Sequence, residues 1–434
     1  MRVRELILYR SLAKEGWLKD MVWLTENSAD SPDSLREMQF RWWDCVGELL
    51  KRADRCGFRG NLWHCCLAHL LVNDENSYSL SCERRGETGG SLKLAALHDM
   101  TILRELFALD LVELMSRLQV SGEELVLDYE PGSGRGRGYA YSLQIRDEIC
   151  RLAKGLAKAH GCEEFKAMLT EFYRSFGVGK PGLHRAFRIG EEESGACILP
   201  ICDIAPVCLE DLVGYEMAKK KLTDNTEAFV RGRGGNNCLL YGAAGTGKSS
   251  AIKAIVNAYY GEGLRMIEVY KHQFRKLHDV TAQIKNRNYK FILYMDDLSF
   301  EEFETEYKYL KAVIEGGLEK KPDNVRIYAT SNRRHLIREN YSDKQEGSDD
   351  LHSNETVQEK LSLAGRFGMT VYFPPPEKRE FHEIVKVLAK RSGIDLSEEE
   401  LLAAANRWEL AHGGPSGRTA RQFVDDLLGR MQRE

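Results

Sequence analysis

One stretch constrains this chain more than any other: GAAGTGKSS, residues 242–250, set between the apolar run NCLLY and the helix-like run KSSAIKAIVNAYY. It fits the pattern of a glycine, four residues, then glycine, lysine and a hydroxyl residue. Glycine lets the backbone wrap closely, so successive N–H groups from Gly242, Ala243, Ala244, Gly245, Thr246 and Gly247 point inward at one anion. The helix opening at Lys248, Ser249 and Ser250 adds its positive N-terminal end. A phosphate chain suits this cradle. Lys248 is placed to reach the β- and γ-phosphates, and the Ser249 hydroxyl to ligate Mg²⁺. A turn of the same composition without a strand before it and a helix after it would mean little. With both, it reads as a nucleotide site.

Downstream, short apolar runs alternate with helical periodicity: RMIEVY, a helical run through Ile284, KFILYM, EYKYLKAVIEGGL and NVRIYAT. Mostly apolar strands separated by helices predict a parallel sheet covered on both faces. KFILYM runs into Asp296 and Asp297. A carboxylate ending a strand one helix and one strand after the phosphate loop belongs beside the metal, so Asp296 is the expected Mg²⁺ ligand. Asp297 stands where a carboxylate can orient the attacking water. A helix cap in a solvated turn is the ordinary alternative for such a pair. The next strand ends in Thr330, Ser331 and Asn332, on the edge where parallel sheets bind ligands, so Asn332 can meet the γ-phosphate or the water. Arg366 lies in a glycine-bounded turn in LAGRFG, and Arg418 and Arg421 open a late helix in GGPSGRTARQF.

The first 180 residues have a different texture. SLREMQFRWWDCVGELLKRA, NLWHCCLAHLLV, LAALHDMTILRELFALDLVELMSRL and EEFKAMLTEFYRSF repeat apolar residues at three- and four-residue spacing, which predicts helices. Ser34 and Asn61 read as N-caps and Gly177 as a C-cap. MRVRELILYRSLAKEGWLKDMVWL reads as an amphipathic helix rather than a secretory leader, because charges interrupt it early. EPGSGRGRGYAY reads as an exposed basic loop, and the acidic, polar stretch 339–360 as another. Adjacent cysteines in WHCCLAH leave a helix on different sides, and no second ligand pair stands at zinc-like spacing, so this is expected to be core.

Bulk properties narrow the function classes. A net charge of −4 over 434 residues is not the basic body of a protein that holds nucleic acid by neutralising phosphates. No run approaches the apolar length needed to span a bilayer, and eleven scattered cysteines suit reduced thiols, so a cytoplasmic protein without membrane contact is expected. The expected organisation is a helical domain over 1–180, an α/β phosphate-loop core over 181–376 and a small helical unit over 377–434.

From about residue 205 to 430 the chain resembles the AAA+ ATPases. GAAGTGKS resembles their first nucleotide motif and FILYMDD their second. LEDLVGYEMAKKKL resembles the segment beside their adenine pocket, which implies that Val213 and Gly214 lie near the base. The series TGKSS, DDLSFE, YKYLKAVIEGGL and IYATSNRRHLI is similar to one bacterial branch known only as ATP-binding proteins of unknown function. The resemblance implies an AAA+ core with a C-terminal helical lid, using ATP and Mg²⁺. It implies that Asn332 is the first sensor, Arg418 the second sensor, and Arg366 an arginine finger reaching a neighbouring subunit in a homo-oligomer. Tyr270, His272 and Phe274 fall where ring-forming relatives often contact substrate, with core and surface packing of that helix the equal alternative. Most members carry Asp–Glu where this chain has Asp296–Asp297. The second acid is one methylene shorter, which implies slower turnover or a different active geometry. The expectation is an ATPase that remodels a protein partner. A nucleic-acid-associated ATPase and a non-hydrolysing nucleotide switch stand as alternatives. A small-molecule kinase leaves Asn332, Arg366 and the last helices unexplained.

Overall fold

The computed structural model describes residues 2–86, 89–132, 139–193, 195–202, 204–300, 306–315, 322–333, 336 and 363–431. Within it the chain divides into two compact units, Met1–His184 and Arg185–Glu434. Residues 133–138 of the basic stretch 130–141, and the whole of 339–360, lie outside the described residues.

The first unit is helical. Its longest helix, Pro32–Cys56, is capped by Ser31, whose side chain accepts from the Ser34 N–H while Ser34 returns a bond to the cap backbone. Ser34 is therefore the third helical residue and not the cap. Proline at the first helical position fixes the start at Pro32. Asn61 does cap the helix Leu62–Asn73, accepting from the His64 N–H at 3.0 Å, and Gly177 ends the helix Cys162–Phe176. The N-terminal segment is not one amphipathic helix. Residues Val3–Glu5 and Leu12–Lys14 are single 3₁₀ turns, and the α-helix begins only at Gly16. The cause is Asp99. Its fully buried carboxylate accepts the backbone N–H groups of Ile7, Leu8 and Tyr9 at 2.7–3.1 Å, and a continuous helix would use those donors internally.

Cys65 and Cys66 are buried in this unit's core, and the His69 Nε2 lies 3.0 Å from the Tyr141 hydroxyl. Burial, reinforced by the Arg52 and Arg55 charges, pushes the His69 imidazole down to about 3. An unfolded histidine takes its proton near pH ~6.5, so acid favours the unfolded chain throughout that interval. Stability should fall as pH drops below about 6.5, by up to about 3 kcal/mol near pH 4. Five of the six tryptophans (Trp17, Trp23, Trp42, Trp43 and Trp63) lie in this unit, so urea unfolding followed by tryptophan fluorescence reports on it. The parent should lose stability between pH 7 and 4.5, and His69→Gln should lose less. Equal losses would remove the histidine from the account.

The second unit is built on a seven-stranded sheet in the order β2-β1-β4-β5-β6-β3-β7. Its strands are β1 (Ala186–Glu192), β2 (Gly195–Ile201), β3 (Cys238–Gly242), β4 (Leu264–Glu268), β5 (Lys290–Met295), β6 (Val325–Ser331) and β7 (Met369–Phe373). All neighbours pair in parallel except the β1–β2 hairpin, which joins the sheet through β1 alongside β4. The helices are α1 (Glu216–Val230), α2 (Lys248–Tyr259), α3 (Leu277–Ile284), α4 (Glu306–Glu315), α5 (Lys378–Arg391), α6 (Glu398–Ala411) and α7 (Gly417–Met431).

Strand periodicity divides the core into two layers. Phe291, Leu293 and Met295 of β5 pack with Leu277 and Ile284 of α3 and Leu310 of α4. Ile292 and Tyr294, alternating with them, pack on the other face with Phe229 of α1 and Ile252, Ile255 and Val256 of α2. Helices α5, α6 and α7 share a separate small core around Phe381, Val385, Leu401 and Phe423. This is the α/β phosphate-loop architecture with a terminal helical bundle that the sequence predicts. Among the described residues, no helix is long and apolar enough to cross a membrane.

Candidate nucleotide site

Parallel pairing puts the C-terminal ends of β3, β5 and β6 on one edge, and the candidate residues sit on the loops that leave them. The turn after β3 is tight. Gly242 has φ +142°, and a Cβ there would lie 1.9 Å from the Phe373 carbonyl oxygen. Gly245, with φ +74°, passes under the start of α7. A Cβ on it would come within 2.9 Å of the Ser416 hydroxyl and 3.0 Å of the Arg418 Cβ. The Arg418 N–H donates to the Gly245 carbonyl at 3.2 Å. Glycine is thus what lets the terminal helices seat on the loop.

Lys248 is buried at the first position of α2. Its ammonium donates to the carbonyls of Gly242 and Ala243 at 2.9 and 2.7 Å, and to the Asn332 Oδ1 at 3.1 Å. Burial lowers its pKa, opposed by Asp297 and Asp296 and reinforced by Arg418. A cation already short of water gains more from an arriving polyanion than an exposed one would.

The Asp296 Oδ1 accepts from the Ser249 hydroxyl at 2.7 Å and from the Thr330 hydroxyl at 2.6 Å. Burial raises this carboxyl. The hydroxyls of Thr330 and Ser249, the facing Tyr294 and the Lys253 charge outweigh burial and hold it below its ordinary value. Thr330 also accepts the Asp297 N–H at 2.8 Å, so one buried side chain ties both aspartates to β6. Asp297 has φ +49°, the left-handed region that aspartate tolerates better than most residues. Its Oδ1 accepts from the Asn332 Nδ2 at 2.8 Å, completing a chain from Lys248 through Asn332 to Asp297.

These groups open onto a cleft of about 890 Å³, within the usual range for small-molecule sites. Ala244, Gly245, Thr246, Gly247, Lys248, Ser249 and Ser250 line it, with Asp296, Asp297, Thr330, Asn332 and Val213. Gly242 and Ala243 face Lys248 through their carbonyls instead, and Gly214 stands at φ +81° between the lining residues Val213 and Tyr215. Arg418 and Arg421 reach the cleft from α7 of the same chain. Arg366 is half-buried in the turn between Leu363 and Gly368 and is not among the described residues that line its own chain's cleft.

Periodicity alone misses four contributors. Ile384 and Leu388, one turn apart on α5, line the same cleft as Val207, Leu212 and Tyr215. Thr330 stands out in the sequence only as the end of a polar strand. Tyr294 looks like strand filler, although it lies two residues before Asp296 and so on the same side of β5. Of the three residues expected to contact substrate, Phe274 is core. Tyr270 is exposed, bonded to Glu268 at 3.0 Å and stacked on His272. The donors fit the expected ligands. Ser249 and Asp296 offer hard oxygens of the kind Mg²⁺ prefers, and the loop offers N–H groups and one ammonium to an anion.

Comparison with known proteins places this site in context. Over 76 residues the chain is 34% identical to the replication factor C large subunit of Staphylothermus marinus, covering 17% of each chain, so it spans only a small part of that relative. Solved structures of Thermotoga maritima RuvB are also similar. One, a point variant of that protein, has 19% identity and a TM-score of 0.38 over 53% of this chain and 67% of that one. Another, described as a Holliday junction branch migration motor, is 17% identical with a TM-score of 0.36 over the same shares. A family model described as a protein of unknown function, DUF815, matches residues 182–431, a span that takes in the loop, both aspartates, Asn332, Arg366 and Arg418. The chain belongs to the DUF815 family.

Proposed function

We propose that this chain is an ATP-binding AAA+ protein that hydrolyses Mg-ATP as a homo-oligomer and uses the cycle to remodel a protein partner. The observation that carries the reading is the convergence of Lys248, Ser249, Asp296, Asn332 and Arg418 on one cleft, from β3, β5, β6 and the terminal helices. Loop N–H groups and Lys248 would hold the phosphates, Ser249 and Asp296 the Mg²⁺, and Val213 with Ile384 and Leu388 the base. Bound Mg²⁺ would draw charge from the phosphoryl oxygens as a Lewis acid. Asp297 would orient the attacking water, with Asn332 fixing its direction, and Arg418 would neutralise phosphate charge within its own subunit. Arg366, outside the lining of its own cleft, fits an arginine delivered to a neighbour. The helical unit 1–184 is the natural holder of the partner.

A second reading, a nucleotide switch with little turnover, is favoured by one feature. Asp297 is short, and its carboxylate is already bonded to Asn332. Phosphate release separates the two readings. A hydrolysing parent should lose Mg²⁺-dependent binding in Asp296→Ala, but keep nucleotide and lose about 100-fold or more in turnover in Asp297→Asn, within the range of general base effects. A folded parent with no turnover at any protein concentration selects the switch. Asp297→Asn turning over at the parent rate would move the water to another residue. The next carboxylates, Glu301 and Glu302, lie outside the described residues.

A further inference from the structure

Tyr294 is an unusual side chain to find behind a metal-binding carboxylate. It sits on the α2 face of β5, two residues before Asp296, and is 1% exposed. Its hydroxyl is fully buried and meets hydrogen-bond geometry with no described group. Yet it faces the Ser249 hydroxyl, the Asp296 carboxylate and the Thr330 hydroxyl. A phenylalanine would fill the same space without burying a polar atom, which is costly unless that atom has work to do. The three groups in front of it satisfy one another: Ser249 and Thr330 both donate to the Asp296 Oδ1. The phenol stands behind this set, turned toward the carboxylate whose charge it helps to hold.

Resting on the Mg-nucleotide reading above, we propose that Tyr294 is a positioning residue of the divalent-cation site, holding the Asp296 carboxylate from behind. Mg²⁺ binds through few protein ligands and keeps several waters, each polarised into a strong donor. The Tyr294 oxygen accepts from one of these waters while its proton is directed to the Asp296 carboxylate. The phenol thereby orients the carboxylate and the water from behind, as outer-shell partners do at other metal sites. The ligand is a hydrated divalent cation held together with a nucleotide.

The test compares the full-length parent with Tyr294→Phe, Asp296→Ala and Lys248→Ala. ADP binding is measured by calorimetry across a Mg²⁺ titration, and thermal unfolding is followed in EDTA without nucleotide. Tyr294→Phe should need about tenfold more Mg²⁺ for half-maximal enhancement of ADP binding. Its ADP affinity in EDTA should match the parent's, and its melting point in EDTA should stay close to the parent's, which separates positioning of the cation from general loss of stability. An unchanged Mg²⁺ requirement would overturn the inference. If Asp296→Ala loses the Mg²⁺ effect in the same experiment, the nucleotide reading survives that failure. If Asp296→Ala and Lys248→Ala both bind ADP and Mg²⁺ as the parent does, the reading and the inference fall together.

Discussion

Replacing Arg366 by alanine is expected to cut ATP turnover per subunit by about a thousandfold or more while leaving Mg-ATP affinity close to the parent's. An arginine brought to the γ-phosphate stabilises charge that develops in the transition state and typically contributes about 10³–10⁵ in rate. It adds little to ground-state binding when it comes from another subunit. Arg366 is the candidate because its turn lies beyond β6 and it is not among the described residues that line its own chain's cleft. Two consequences follow if subunits complete one another's sites. Turnover per subunit should rise with protein concentration. Mixing Arg366→Ala with Asp297→Asn subunits should restore part of the activity, because some interfaces then join an intact finger to an intact aspartate. Concentration-independent turnover, with no recovery on mixing, would place the whole site in one chain.

Lys248→Ala is expected to weaken ATP binding by about 100-fold, roughly 3 kcal/mol, with the fold intact. The ammonium is held by two loop carbonyls and Asn332, so its removal strips the cleft of its central cation and frees Asn332 from one of its bonds. Stability should change little, because those carbonyls border an open cleft where water can replace the lost donor. Calorimetric titration of the folded variant measures the loss, and unchanged affinity would remove the phosphate loop from the account.

What was legible in the sequence was local. Gly242 to Ser249 announce their geometry because the backbone conformation and the helix start are encoded within one short stretch. The β5 strand announces its two aspartates in the same way. The contributions that stayed hidden come from long-range packing. Thr330 bridges Asp296 and Asp297 only because β6 lies beside β5. Ile384 and Leu388 look like any amphipathic helix face until the terminal bundle seats over the loop. The hairpin Ala186–Ile201 was visible as short β-like runs, but its addition to the sheet through β4 depends on pairing Ala186 with the distant Met266. At the other end of the chain, the buried Asp99 overrode helical periodicity near residue 8, and two serines three apart exchanged the roles of cap and third helical residue. Periodicity records which face is apolar. It does not record which distant polar group competes for the backbone.

The central claim is that the cleft between the phosphate loop and α7 binds Mg-nucleotide, and calorimetric titration of ATP into the full-length parent, with Mg²⁺ and with EDTA, tests it most directly. The account predicts saturable binding at one site per chain, tighter with Mg²⁺ than in EDTA, with the Mg²⁺ enhancement lost in Asp296→Ala. No binding to the folded parent, or binding that neither Mg²⁺ nor Asp296→Ala alters, would contradict it.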